Sequence, residues 1–284
     1  MNKAAASLWS AAQAASATGG EVRGEWRADG ISIDSRTLAP GDLFVALKGP
    51  NHDGHDHVQA AFSAQAAAAM VERAPDGVAA PLLIVPDTLE GLVALARAAR
   101  ARSGARIVAV TGSVGKTGSK DMIARALATS GPVTVSAGNL NNHIGAPLSL
   151  ARLPQDAAYG VFELGMNHAG EIAPLSRLVR PHVVLVTNVE AVHMEFFADV
   201  SEIAEAKAEI FAGVEPGAVA VLNRDNAHFD LLQTRAREAG IARIIAFGRG
   251  EECDARLLAY ATGSAGGEVE AEISGKRISY RIGL

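Results

Sequence analysis

Val108-Ala-Val-Thr-Gly-Ser-Val-Gly-Lys-Thr117 is an apolar run that turns through two glycines into Lys-Thr, the spelling of a strand that ends in a phosphate-binding loop and enters a helix. In such a loop the backbone N–H groups of Thr111, Gly112, Ser113, Val114 and Gly115 face inward, and the helix N-terminus adds partial positive charge. Lys116 then reaches the β- and γ-phosphates, and Thr117 offers a hydroxyl of the kind that ligates Mg²⁺. The long form of this motif, G-x-x-x-x-G-K-[ST], is not met, because its first glycine would fall on Val110. The shorter T-G-x-x-G-K-T stands in its place.

Outward from this loop the pattern is regular. Apolar runs recur at Ile107–Val110, Val161–Leu164, Val183–Val186, Val219–Leu222 and Ile244–Phe247, with helix-like segments between them. Uninterrupted Val/Ile/Leu runs of this length suit strands buried on both faces of a parallel sheet joined by right-handed crossovers. The tail from Arg256 to Leu284 alternates polar and apolar residues around glycines, as antiparallel hairpins do. Upstream, Gly30–Asp34, Leu43–Leu47, Ala69–Glu72 and Leu82–Val85 read as short strands, Ala4–Ala17 as a helix stopped by Gly19-Gly20, and Asp87–Ser103 as an amphipathic helix. The expected fold class is therefore α/β. A small N-terminal α/β domain covers residues 1–86, a bridging helix covers 87–104, and residues 105–284 form a phosphate-loop domain with a mostly parallel sheet and a C-terminal hairpin region.

Composition narrows the function. With 26 Lys+Arg against 31 Asp+Glu the net charge is −5, which argues against a nucleic-acid clamp. Apolar residues at 49% and charged residues at 20% belong to a packed globular chain. The single Cys253 cannot make an internal disulfide, in keeping with a reducing, cytoplasmic setting. Trp9, Ser10, Gln13 and Ser16 interrupt any signal-peptide core, and the chain has no apolar run of the ~18 residues a membrane span needs.

Ligands of open α/β sheets gather at the carboxyl ends of strands. Glu163 closes one core run and is a candidate Mg²⁺ ligand. Thr187-Asn-Val-Glu-Ala-Val-His193 follows the next, so Glu190 or His193 could face the same phosphates. Lys207, between Glu205 and Glu209 on a helical stretch, reads from spacing alone as a solvated lysine. His52, His55 and His57 with Asp53 and Asp56 have the donor types of a zinc site but lack a second ligand pair at defined spacing.

Taken together, Thr111–Thr117, Gly138-Asn-Leu-Asn-Asn-His-Ile-Gly-Ala-Pro147, Phe162-Glu-Leu-Gly-Met-Asn167, Ala206-Lys-Ala-Glu-Ile210, Asp34-Ser-Arg36, Pro40–Gly49 and Asp53-Gly-His55 resemble the Mur ligase family, in particular its MurF type. The resemblance implies an ATP- and Mg²⁺-dependent amide ligase of peptidoglycan precursor synthesis. It would join D-alanyl-D-alanine to UDP-N-acetylmuramoyl-tripeptide through an acyl phosphate and is expected to act as a monomer. By the same resemblance, Lys116, Glu163, His193 and Lys207 are catalytic. Thr117 and Glu163 hold one Mg²⁺ while His193 and a carbamylated Lys207 serve a second, Asn223 and Asp225 meet the adenosine, and Ser35, Arg36, Lys48, Asn139 and Asn142 contact the UDP-linked substrate. Two departures stand out: Gly118 follows Thr117 where relatives carry a hydroxyl residue, and His52 and His57 replace aromatics. The resemblance also leads us to expect a third domain beyond Leu284 and little turnover without it. A related ligase adding the third amino acid, a phosphate-loop kinase of small molecules and a non-catalytic nucleotide-binding module share parts of these motifs.

Overall fold

The computed structural model describes residues 7–75, 80–192, 194–263 and 266–283. In chain order the strands are β1 (Trp9–Ser10), β2 (Glu21–Arg23), β3 (Arg27–Ala28), β4 (Gly30–Ser32), β5 (Asp42–Val45), β6 (Ala68–Val71), β7 (Leu82–Ile84), β8 (Arg106–Thr111), β9 (Val133–Val135), β10 (Tyr159–Glu163), β11 (Val183–Val186), β12 (Val219–Asn223), β13 (Arg243–Gly248), β14 (Ala255–Gly263), β15 (Gly266–Ile273) and β16 (Lys276–Ile282). The α-helices are α1 (Ala11–Thr18), α2 (Val58–Ser63), α3 (Thr88–Arg102), α4 (Lys116–Leu127), α5 (Gly145–Ala151), α6 (Ile172–Val179), α7 (Val200–Ala208) and α8 (Phe229–Glu238). The chain divides into two compact units, Met1–Ala105 with Gly131–Gly160, and Arg106–Ser130 with Val161–Leu284.

The first unit is built on a five-stranded sheet of order β2-β7-β6-β5-β4, parallel except for β2. Its central strands Leu43-Phe-Val45 and Ala68–Val71 are buried along their length, which is why they read as apolar runs rather than as an alternation. Helix α1 starts at Ala11, later than the sequence suggests. Ser10 forms a capping box with Gln13, while Trp9 and Ser10 pair as a strand with Ala28 and Arg27. Residues 4–6 of that expectation lie outside the described residues. Gly19 closes the helix at φ +69°, as expected of a left-handed cap.

Helix α3 is capped by Asp87, which accepts from the N–H groups of Leu89 and Glu90 at 2.8 and 2.9 Å. Its apolar face of Leu92, Leu95, Ala96 and Ala99 is fully buried, and the helix packs on α1 and α5 within the first unit. The segment expected to bridge domains over 87–104 thus packs as part of the first compact unit, and residues 131–160, with β9 and α5, return to that unit from beyond the phosphate loop. Long-range returns of this kind leave no local pattern in the sequence.

In the second unit the strands run β16-β15-β14-β13-β12-β11-β8-β10. β8, β11, β12, β13 and the start of β14 are parallel, and β14, β15 and β16 are antiparallel, so the change of style at residue 256 is real. The chain leaves β8 for β10 on one side and later returns to β11 on the other. That reversal puts a topological switch point at the carboxyl end of β8, where Thr111 stands opposite Val186. Among the described residues, no helix is long and apolar enough to cross a membrane.

Candidate functional site

Each of the three strands meeting at the switch point ends in a polar group. β8 delivers Thr111 and the loop Gly112–Gly115, β10 delivers Glu163, and β11 is followed by Thr187 and Asn188. Gly112 adopts φ +146° against Thr187, and an added Cβ would overlap the Thr187 hydroxyl, so only glycine fits. Gly115 adopts φ +82° and stands at the N-cap of α4, with no side chain among the described residues capping the helix end. The first turn of α4 is therefore left to an anion.

The loop is braced from β11. Val114 N–H donates to Asn188 Oδ1 at 2.9 Å, Ser113 N–H to the Asn188 carbonyl at 3.0 Å, and the Thr187 hydroxyl to the Val114 carbonyl at 2.7 Å. Ser113 Oγ donates to the Glu190 carbonyl at 3.1 Å and accepts from Glu190 N–H at 2.9 Å. Glu190, singled out for its carboxylate, thus holds the loop through its backbone. Thr187 and Asn188 were legible only as part of a strand-end segment; a rule that looks first at the residues nearest the strand end would have found them.

Lys116 Nζ folds back on its own loop and donates to the carbonyls of Gly112 at 2.9 Å and Ser113 at 3.4 Å. The Thr117 hydroxyl donates to Glu163 Oε2 at 2.9 Å, and Glu163 is only 1% exposed. This joins the two residues that sequence reading assigned to one metal. Thr111 Oγ1, at the end of β8, is buried with no hydrogen-bond partner among the described residues. Gly118 lies in the first turn of α4 with open space around it.

Lys207 departs from the reading that spacing alone gave it. The side chain is buried in α7, not solvated, and burial together with the nearby positive charge of Lys116 lowers its ammonium pKa to about 8. The apolar neighbours Ile203, Ala204, Ala206 and Ala208 explain why, since α7 buries the face that carries the lysine. His193 lies outside the described residues.

Asn223 is tied to the segment that braces the phosphate loop, and Asp225 to the loop that follows β13. Asn223 Nδ2 donates to the Thr187 carbonyl at 3.1 Å, and the Asp225 carboxylate accepts the Arg249 N–H at 2.9 and 3.0 Å. They line a cleft of about 280 Å³ floored by Phe247, Leu257, Ile273 and Tyr280.

In the first unit Arg36 makes a two-pronged ion pair with Asp34, at 2.9 Å from Nε and 2.7 Å from the terminal nitrogen, and holds the Asp34 carboxyl at a pKa of about 2. The Arg36 side chain is otherwise exposed, and Ser35 is half-buried beside it. Lys48 is exposed and bridges to Asp53 through the backbone. Asn139 is exposed, and Asn142 Oδ1 caps α5 by accepting from Ile144 and Gly145 N–H at 3.1 and 2.8 Å. The His-rich loop is not a metal cluster: no group of three metal-ligating side chains forms among the described residues. His55 Nε2 accepts from Glu72 N–H at 2.9 Å, which leaves the proton on Nδ1 to donate to Asp53 Oδ1 at 2.5 Å, so both ring nitrogens are used within the fold.

Magnesium keeps several waters and takes one or two protein oxygens besides the phosphates it serves. A buried carboxylate bonded to a hydroxyl at the foot of a phosphate loop is such a donor set, so Thr117 and Glu163 fit the ion.

Comparison with known proteins gives a consistent answer. Residues 27–112 match the model of the Mur ligase family catalytic domain, and residues 110–284 match that of the Mur ligase middle domain. The chain is 34% identical over 256 residues to a UDP-N-acetylmuramoyl-tripeptide–D-alanyl-D-alanine ligase of Rickettsia prowazekii, covering 90% of this chain and 57% of that protein. It is 45% identical over 208 residues to the enzyme of the same name from Escherichia coli, covering 73% of this chain and 46% of that one. A crystal structure of MurF from Acinetobacter baumannii superposes with a TM-score of 0.83 at 30% identity, covering 97% of this chain and 61% of that chain. The chain thus spans about half the length of the curated relatives it matches. With the middle-domain model extending over more than half of its residues, the chain belongs to the Mur ligase family.

Proposed function

We propose that this chain binds UDP-N-acetylmuramoyl-tripeptide through its first unit and Mg²⁺-ATP through its second, for the ligation of D-alanyl-D-alanine by way of an acyl phosphate. The observation that carries the reading is the convergence at the switch point, where an open helix N-terminus, Lys116 and the Thr117–Glu163 pair share one strand edge. In this reading the unit of residues 1–105 and 131–160 serves the uridine nucleotide and the unit of residues 106–130 and 161–284 serves ATP.

The chemical difficulty is bringing a substrate carboxylate against an anionic triphosphate. The protein meets it with fixed positive charge and oriented dipoles rather than with a covalent nucleophile. Lys116 leaves the Gly112 and Ser113 carbonyls for the β- and γ-phosphate oxygens, and the uncapped N–H groups of the first turn of α4 hold the remaining oxygens, since the Ser113 and Val114 amides expected to face the phosphates are bonded to Asn188 instead. Glu163 and Thr117 would hold Mg²⁺, with His193 and Lys207 serving a second ion, and the metal supplies neutralisation of charge on the transferring phosphoryl group.

The lowered pKa of Lys207 bears on its carbamylation. Near pH 8 a large share of the amine is neutral. The neutral nitrogen can add to the carbon of CO₂ and shed a proton to water, giving a carbamate. A cation repelled by Lys116 is thereby replaced by an anion attracted to it, with oxygens suited to a hard metal. Asn223 and Asp225, at the mouth of an apolar cleft, offer the adenosine a place beside β12 and β13.

The first-unit assignment is tested by calorimetry. UDP-N-acetylmuramoyl-tripeptide should bind saturably, and Arg36→Ala should weaken it by on the order of tenfold or more, the worth of a charge-assisted bond to an anion. The circular-dichroism spectrum should stay unchanged, because the Arg36 side chain is 86% exposed. Unchanged affinity in the variant would remove Arg36 from the substrate site, and no binding by the parent would favour a kinase or another nucleotide-binding role.

A further inference from the structure

Glu209 stands two residues after Lys207, at the start of the 3₁₀ turn Glu209–Gly213 that ends α7. Its carboxylate does not point to solvent partners. Oε1 accepts from Gly170 N–H at 2.5 Å, and Oε2 accepts from Ile172 and Ala173 N–H at 3.0 and 3.1 Å. These three amides are at the N-terminus of α6, where a carboxylate is favoured by the helix dipole. They also belong to the segment that leaves β10 directly after Glu163.

One side chain thus ties the strand exit that carries Glu163 to the helix end that carries Lys207. A second clamp lies below it. Ser176 Oγ donates to the Ile210 carbonyl at 2.5 Å and accepts from Gly213 N–H at 3.1 Å, and Gly213 lies so close to the Ser176–Arg177 backbone that no Cβ fits. The lower clamp keeps α6 packed on the turn without Glu209. The upper one is left to set how the 164–171 segment sits relative to α7.

We propose that Glu209 is a positioning residue that fixes the spacing of Glu163 and Lys207, and with it the metal affinity of the nucleotide site. The inference rests on the proposed Mg²⁺-ATP site and adds a residue to it that does not itself touch the metal or the nucleotide. A cap that only stabilised α6 would change thermal stability and nothing else.

The test uses the full chain, a non-hydrolysable ATP analogue and two variants. In Glu209→Ala the calorimetric affinity for the Mg²⁺ complex of the analogue should fall about tenfold or more, as for other residues that orient ligands from behind. Affinity for the metal-free analogue should change by less than about twofold, since the loop braces from Thr187 and Asn188 are untouched. Hydrogen exchange should speed up at Gly170, Ile172 and Ala173 while β8 and β11 keep their protection. Glu209→Gln, which retains one acceptor oxygen, should recover part of the Mg²⁺ effect, and it carries the test if the alanine variant does not fold. A lower melting temperature with unchanged Mg²⁺ affinity in both variants would overturn the proposal. If the parent chain shows no preference for the Mg²⁺ complex, the nucleotide-site reading fails, a different outcome from loss of the Glu209 effect alone.

Discussion

Glu163→Gln is expected to weaken binding of Mg²⁺-ATP by on the order of 10- to 100-fold while leaving metal-free ATP within about twofold, the scale at which altered metal-site ligation is usually felt. The substitution is nearly isosteric, and the Gln carbonyl can still accept the Thr117 hydroxyl bond that Glu163 accepts at 2.9 Å. What it removes is the negative charge, which a hard divalent cation needs and a bare phosphate does not. The metal-free comparison therefore separates a ligand role from a loop-bracing role. Equal losses with and without Mg²⁺ would make Glu163 a brace for α4 and leave the ion to other groups.

Lys207→Met is expected to weaken binding of Mg²⁺-ATP by at least about tenfold and, at the same time, to raise thermal stability at pH 7 in CO₂-free buffer. Folding takes the ammonium from an ordinary value of 10.5 to about 8, with the side chain almost fully buried. Holding that charge inside the fold costs on the order of 3 kcal/mol. Between about pH 8 and 10.5 the unfolded chain binds more protons than the folded one, so parent stability rises with pH across that window. Below it the full cost is present, and above it the cost vanishes. The advantage of Lys207→Met should accordingly be largest below pH 8 and fade towards 10.5. Added bicarbonate should raise the melting temperature of the parent and not of the variant, because a carbamate ends the repulsion with Lys116. A variant less stable than its parent at pH 7, together with no bicarbonate effect, would contradict a buried, reactive lysine.

Much of the second unit was legible because its strands are buried on both faces. Val183–Val186 matches β11 to the residue, three other runs lengthen by one residue at one or both ends, and the run Val161–Leu164 becomes Tyr159–Glu163, two residues earlier at its start and one at its end. The phosphate loop was legible for a related reason: glycine at 112 and 115 is dictated by backbone geometry, which sequence displays directly. Other features depend on distant partners. Strands β2 and β9 are three residues long and only partly buried, too little to register as pattern. The start of α1 moved because Trp9 is buried and donates to the Ala151 carbonyl at 3.0 Å, a bond between residues 142 apart. Lys207 misled for the same reason. Its acidic neighbours suggest water, whereas tertiary packing puts the lysine inward and turns Glu205 out to Arg235 at 2.6 and 2.7 Å. The His-rich loop was ambiguous in sequence, and only the Glu72 amide shows that His55 is spent on the fold.

The central claim is that the switch-point site passes a phosphoryl group to a carboxylate that an amine then captures. The most direct measurement is the release of inorganic phosphate and ADP by the intact protein, with UDP-N-acetylmuramoyl-tripeptide, Mg²⁺-ATP and D-alanyl-D-alanine each omitted in turn. The account predicts phosphate release that is slow for this chain, requires all three and equals the amide formed. Sustained ADP formation without the dipeptide, with the phosphoryl group retained on an acceptor other than the tripeptide carboxylate, would contradict it.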